Sequence, residues 1–301
     1  MKNNLFVLFI IILFYSCNKE EAKKEVYPFQ LIDNRVCVRI NFNDSVSGLF
    51  LLDNEAQGSN YIDSLFLKKA GIKTDSQLLK LPFMICNKSF EEEFQKINVK
   101  IEPFVDGLIG QNIFLTNIVS LSFSDSTIAF NDTLPDIKGY YKMPYFKLRE
   151  REYSEYGVKI NGLYDINNNP FSSIFIVDLG NPMESEFTLP TFKKINTKLK
   201  VNLSYDTTRS RIGPHSDDIL KNRVYTFGLD SLMYSNLFIS INDCKTILLI
   251  DSEDDYYNFW SPAPFDGTLG IEFLKHFDVI LDYKNGYLYL KPITKKHILH
   301  H

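Results

Sequence analysis

Short apolar or alternating runs, each closed by a polar turn, follow one another along most of the chain and predict strands rather than long helices. Phe29–Ile32 and Arg35–Phe42 form a hairpin turning at Asp33-Asn34, and Asn43-Asp44-Ser45 turns the chain again. Gly48–Leu52 is then a wholly apolar strand that delivers Asp53. Tyr61–Ala70 has helical spacing, through Ile62, Leu65, Phe66 and Ala70, and stops at Gly71, a residue suited to a helix C-terminal cap. Leu78–Ile85 and Phe90–Ile101 are further strands around Asn87-Lys88-Ser89, and Pro103 leads into a turn at Asp106. Residues 131–145 are polar, hold Pro and Gly, and mark a boundary. Beyond it the scheme returns. Tyr156–Ile160 and Leu163–Ile166 flank Asn161-Gly162, a hairpin signal, and Ser173–Val177 delivers Asp178. Phe187–Ile195 stands in the place of the first helix, and Leu199–Ile250 is longer than its counterpart, with a polar stretch at Asp206–Asp218.

The return is an internal repeat. Asp106-Gly107-Leu-Ile-Gly110-Gln-Asn-Ile-Phe and Asp266-Gly267-Thr-Leu-Gly270-Ile-Glu-Phe-Leu align without a gap, each opening a short helix. Two strands follow in both copies, Ile118–Phe123 with Ser126–Phe130 and Phe277–Tyr283 with Gly286–Leu290, the second pair joined at Lys284-Asn285-Gly286. Each copy is preceded by an apolar strand that ends in an aspartate, Asp53 or Asp178. A period of this kind means one unit built twice, here as lobes over 28–134 and 135–292. A chain of 301 residues accommodates two such lobes.

Composition agrees and narrows the partners. With 25 Phe and 17 Tyr, the chain favours strands. A net charge of −4 with no basic block speaks against a nucleic-acid partner. Leu5–Tyr15 is an apolar run too short to span a bilayer, so residues 1–17 read as an export signal and 18–27 as a charged tether, with 293–301 as a tail. Besides Cys17 there are three cysteines, Cys37, Cys86 and Cys244, which leaves at least one thiol unpaired. A Cys37–Cys86 pair and a buried free thiol at Cys37 both fit the pattern. His215 with Arg209, Arg211, Asp217 and Asp218, the terminal His297, His300 and His301, and the acidic Asp251–Asp255 all read as solvated surface. No metal or cofactor is expected, because no His-Glu-x-x-His, phosphate loop or Gly-x-Ser-x-Gly is present.

The duplicated strand-aspartate-turn unit resembles the aspartic peptidases of the pepsin and retropepsin type, in which each lobe contributes one catalytic aspartate. The resemblance covers roughly residues 28–292. It implies an all-β, two-lobed acid-protease-like β-barrel fold, one duplicated lobe with a short helix after each Gly-containing turn. It also implies Asp53 and Asp178 as the catalytic pair. The supporting loops are Asn54, Glu55, Leu179 and Gly180, with Asp106, Gly107, Gly110, Asp266, Gly267 and Gly270 beside them. Two carboxyls about 3 Å apart do not both ionise, so the pair offers an acid and a base to one water. The family's flap hairpin would fall at the two strands around Asn87. Its catalytic triplet is Asp-Thr-Gly, and here Asp53-Asn54-Glu55 and Asp178-Leu179-Gly180 stand in its place. Asn54 keeps hydrogen bonding, Leu179 offers none, and Glu55 adds a third carboxylate that would crowd the pair. Two functions are implied by the resemblance. One is an endopeptidase acting on peptide or unfolded protein; the other is a catalytically inactive module that holds peptide or glycan in the cleft.

The ending Leu13-Phe-Tyr-Ser-Cys17 resembles a bacterial lipobox, whose cysteine is acylated. Lys19-Glu20-Glu21 directly after it is similar to the surface-export signal of Bacteroidota lipoproteins. That implies an exported protein tethered by lipid at the outer membrane or cell surface, or facing the periplasm; the chain is expected to be a monomer.

Overall fold

A computed structural model describes residues 26–43, 46–56, 58, 60–98, 101, 105–150, 154–164, 170–182, 185–187, 202–206, 222–234, 237–250 and 265–293. The export signal with Cys17, the His215 loop, Asp251–Asp255 and the three terminal histidines lie outside them.

In the first copy the strands are β1 (Tyr27–Pro28), β2 (Gln30–Ile32), β3 (Arg35–Asn43), β4 (Val46–Leu52) and β5 (Asn60–Asp63). After α1 (Ser64–Lys69) come β6 (Leu78–Ile85), β7 (Lys88–Ile97) and β8 (Gly107–Ile109), then α2 (Asn112–Thr116), β9 (Ile118–Ser122) and β10 (Thr127–Asn131). Strands β3, β4, β8, β5, β7 and β6 pair in that order, and β6 returns to β3 at Asn41 and Met84, which closes a barrel. The barrel is filled by phenylalanines: Phe42 meets Phe50, Phe66, Phe83 and Phe94 at ring-centre distances of 5.5 to 6.1 Å. The short hairpins turn at Asp33-Asn34 and Cys86-Asn87, where both residues have positive φ, as a two-residue hairpin turn requires.

The second copy contains β11 (Tyr141–Glu150), β12 (Ser154–Tyr164), β13 (Pro170–Val177), β14 (Ser185–Phe187) and β15 (Asn202–Asp206). It continues with β16 (Asn222–Tyr234), β17 (Leu237–Ile250), β18 (Gly267–Leu269), α3 (Ile271–Leu274), β19 (Phe277–Asp282) and β20 (Tyr287–Pro292). Strands β11, β12, β13, β18 and β14 neighbour one another in that order. The long β16–β17 hairpin, which supplies the extra length of this copy, joins β12 at Asn161 and Met233.

The copies share one sheet, in the order β1, β10, β9, β19, β20, β11. At its centre Ser120 of β9 faces Ile280 of β19, equivalent positions of the repeat, so a local twofold passes between them. The interlobe sheet is apolar on its inner side, with Val119, Leu121, Val279, Leu281, Leu288 and Leu290 buried together.

Three sequence expectations are corrected and one open alternative is decided. Residues 61–70 are not one helix: Ile62 is buried as part of β5, and Asp63 ends the strand by capping α1, accepting from the Leu65 N–H at 2.7 Å. Asn161-Gly162 is not a turn. β12 runs through it, and the register shifts between Ile160 and Leu163, the bulge that a strand glycine commonly marks. Cys37 and Cys86 do not pair; both are free thiols, pushed up to about 12 by burial. Finally, the β6–β7 hairpin is barrel wall rather than a free flap. Its turn end lies against β10, with Phe90 packed on Phe130 and Lys88 paired with Asp132 just beyond that strand.

Gly107 shows how tightly the barrel closes beside β4. A methyl group there would come within 2.2 Å of the Phe50 ring and 2.4 Å of the Tyr61 carbonyl oxygen. Gly107→Ala is therefore expected to cost about 3 kcal/mol, read as a lowered urea midpoint.

Candidate active site

Each aspartate is delivered by a strand that is pinned on one side by a parallel partner. Phe50, Leu51 and Leu52 pair with Gly107, Leu108 and Ile109, and Phe175, Ile176 and Val177 pair with Gly267, Thr268 and Leu269. The main chain continues the match, with Asp53 N–H donating to the Ile109 carbonyl (2.9 Å) and Asp178 N–H to that of Leu269 (3.0 Å). Asp106 and Asp266 clamp the strands further back. The Asp106 carboxylate accepts from Leu49 N–H and the Asp266 carboxylate from Ile174 N–H, each at 2.9 Å, while each aspartate's own N–H returns to the same residue's carbonyl. The adjoining turn residues are fixed alike: Gly110 N–H donates to Asn60, Gln111 N–H to the Ala56 carbonyl, and Ile271 N–H, next to Gly270, to the Asn181 carbonyl.

The two carboxyl groups are seated identically. Oδ1 of Asp53 accepts from the N–H groups of Glu55 (3.0 Å) and Ala56 (2.8 Å). Oδ1 of Asp178 accepts from those of Gly180 (2.8 Å) and Asn181 (3.1 Å). The other face of Gly180 meets the first lobe, since a methyl group there would lie 2.4 Å from both Cγ and Oδ2 of Asp53. Both carboxyls thus touch one glycine, and covalent geometry keeps them within about 8 Å of each other. Glycine is required at 180 because only a hydrogen leaves room for Asp53.

Asn54 ties the loops together from below. Its Oδ1 accepts from Leu179 N–H at 2.7 Å, and its Nδ2 donates to the Val177 carbonyl, so one side chain grips the main chain on either side of Asp178. The amide orientation is unambiguous, because the N–H partner can only donate and the carbonyl can only accept. Leu179 is fully buried in the apolar core and contributes packing alone.

Nδ2 of Asn54 also donates to the hydroxyl of Tyr283 at 2.7 Å, and that hydroxyl lies 3.2 Å from the hydroxyl of Tyr145. Tyr156 stacks edge-on to Tyr283, at 4.7 Å between centres. Glu55, expected to crowd the aspartates, has Oε1 3.3 Å from Asn54 Nδ2 on the same side. Burial, and then the Glu55 charge, hold the Tyr283 phenol well above its ordinary range; Tyr145 is raised by burial, the neighbouring phenol and Glu55. Burial likewise raises Asp53, against the two N–H groups and the nearby Arg35, whose Nε donates to the Gly180 carbonyl at 3.2 Å. Among the described residues, no three His, Cys, Asp or Glu side chains cluster as a metal ion would need, and Asp53, Glu55 and Asp178 are no exception.

Nothing local in the sequence marks Arg35, Tyr145 or Tyr283 as site residues. They lie far from either triplet along the chain, and only the shared sheet and the β2–β3 hairpin bring them in.

No protein-family model and no curated protein matches the sequence. The backbone is similar to the crystal structure of the aspartic proteinase from Irpex lacteus, with a TM-score of 0.51 and 11% identity, covering 89% of this chain and 97% of that one. That similarity, with the closed barrel and the shared sheet, makes the architecture an all-β, two-lobed, acid-protease-like fold.

Proposed function

We propose that this chain is an aspartic-type endopeptidase acting on peptide or unfolded protein through Asp53 and Asp178. One observation carries the reading: the two carboxyls accept matching pairs of main-chain N–H groups and meet at Gly180 above a single amide clamp. In such a pair the ionised carboxyl takes a proton from water, which attacks the peptide carbonyl. The protonated carboxyl donates to the oxygen where charge develops. The raised Asp53 suits that acid role below neutral pH. The test is incubation of the purified chain with an unfolded protein from acid to mildly alkaline pH. Cleavage fastest below neutral pH is expected. Binding of peptide or glycan without cleavage at any pH would replace the enzyme by a binding module.

The proposal includes a lipid anchor, supported by the Leu13–Cys17 ending and the charged tether after it. Among the described residues no helix is long and apolar enough to cross a membrane. Acyl chains on Cys17 would hold the chain at the outer membrane or cell surface, each buried methylene contributing roughly 0.8 kcal/mol. Cys17→Ala is expected to move the protein from the membrane fraction to the soluble one, with mass spectrometry finding acyl chains on Cys17 only in the unsubstituted protein. An unacylated N-terminus at another residue would refute the anchor.

A further inference from the structure

A grip made by an amide differs physically from one made by a hydroxyl. A hydroxyl on Cβ has one torsion to fix and one hydrogen to place. Asn54 reaches one atom further and has a second torsion, broad by nature, and two N–H bonds at a fixed angle. One N–H reaches the Val177 carbonyl across the lobe junction. Where the other points decides whether the first stays aligned, and its neutral partner is the Tyr283 hydroxyl at 2.7 Å, against 3.3 Å to Glu55 on the amide's own loop. Tyr283 is itself immobilised. It is 4% exposed, follows β19 in the interlobe sheet, and its ring packs between Tyr145 at 5.0 Å and Tyr156 at 4.7 Å. Burial and Glu55 keep the phenols protonated, so these hydrogen bonds persist across the working pH range.

We infer that Tyr283, braced by Tyr145, is a positioning residue for the aspartate pair: its hydroxyl locks the Asn54 amide in the orientation that joins the two loops. The second lobe thus supplies the hydroxyl that Leu179 lacks, from a residue more than a hundred positions further along the chain. The kinetic part of this inference rests on the endopeptidase reading; the geometric part does not.

The experiment is Tyr283→Phe, which keeps the ring and removes the hydroxyl. In the active protein kcat should fall roughly tenfold while KM stays within about twofold, because loop alignment and not substrate contact is lost. Adding Leu179→Thr should restore most of that loss by placing a hydroxyl at the junction, whereas a purely structural role of Tyr283 would appear as lost stability with kcat unchanged. An unchanged kcat, or an equal rise in KM, overturns the inference. A second readout needs neither catalysis nor the double variant: hydrogen exchange of the Asn54 side-chain amide, followed by NMR, should be at least about tenfold faster in Tyr283→Phe. Unchanged exchange overturns the inference. An unsubstituted protein that cleaves nothing removes the endopeptidase reading and leaves the exchange result to decide on Tyr283.

Discussion

Asp178→Asn is expected to remove peptide cleavage, by about a thousandfold or more, at every pH. The amide still accepts the Gly180 and Asn181 N–H groups through its oxygen, so the loop keeps its shape. Its loss is the ability to take or give a proton. Asp53→Asn should be as inactive, and its stability should depend on pH. Burial raises Asp53 above its ordinary value near 3.8, so the folded chain holds this proton more tightly than the unfolded one does. Stability from this site is therefore complete below that ordinary value and falls as pH rises through the raised one. Removing the charge should raise the Tm by a few degrees near neutral pH and leave it unchanged in acid. An Asp53→Asn protein that melts lower at neutral pH, or either variant with appreciable residual cleavage, would count against the dyad.

Asn54→Ala should be the most damaging single change at the lobe junction. It strands the Leu179 N–H and the Val177 carbonyl, both buried, and removes the Tyr283 partner. Each unsatisfied buried group costs about 1–3 kcal/mol, so a loss of roughly 3 kcal/mol or more should show as a lower urea midpoint. Asn54→Thr is the control. Its hydroxyl can accept from Leu179 N–H and donate to the Val177 carbonyl, and it should recover most of that loss. Asn54→Asp should be as harmful as alanine, because a carboxylate cannot donate to a carbonyl and brings a buried charge. Equal stability of the alanine and threonine variants would mean that Asn54 does not join the lobes.

The features legible in the sequence are those written in local patterns. Apolar strands ending in Asp53 and Asp178, the Asp-Gly turns after them, and the hairpins at Asp33-Asn34 and Lys284–Gly286 all obey short-range rules of burial and positive φ. The features that escaped depend on the surface a segment packs against. Asn161-Gly162 reads as a turn until β16 pairs with β12 and draws the strand through it. Tyr61-Ile62-Asp63 shares helical spacing with Leu65, Phe66 and Ala70, and only the barrel shows that Ile62 belongs to a strand. The hairpin around Asn87 differs for a similar reason: its pattern locates two strands and their turn, whereas the contacts of Lys88 and Phe90 decide what the turn packs against. Tyr283 is one of 17 tyrosines, and nothing in its neighbourhood along the chain sets it apart.

The pairing of Ser120 with Ile280 at the centre of the shared sheet has a consequence for the changes that duplication allows. Two identical subunits related by a twofold would have to carry the same residue after both aspartates. Asparagine in both would drive two amides into the space of one, and leucine in both would leave the junction without a hydrogen bond. Joining the halves in a single chain lifts that constraint. One half can keep Asn54 and Glu55 while the other keeps Leu179 and Gly180, and the linker maintains the high local concentration that separate subunits would need to find each other. Asymmetry at the heart of a twofold is closed to two copies of one chain and open to a fused pair.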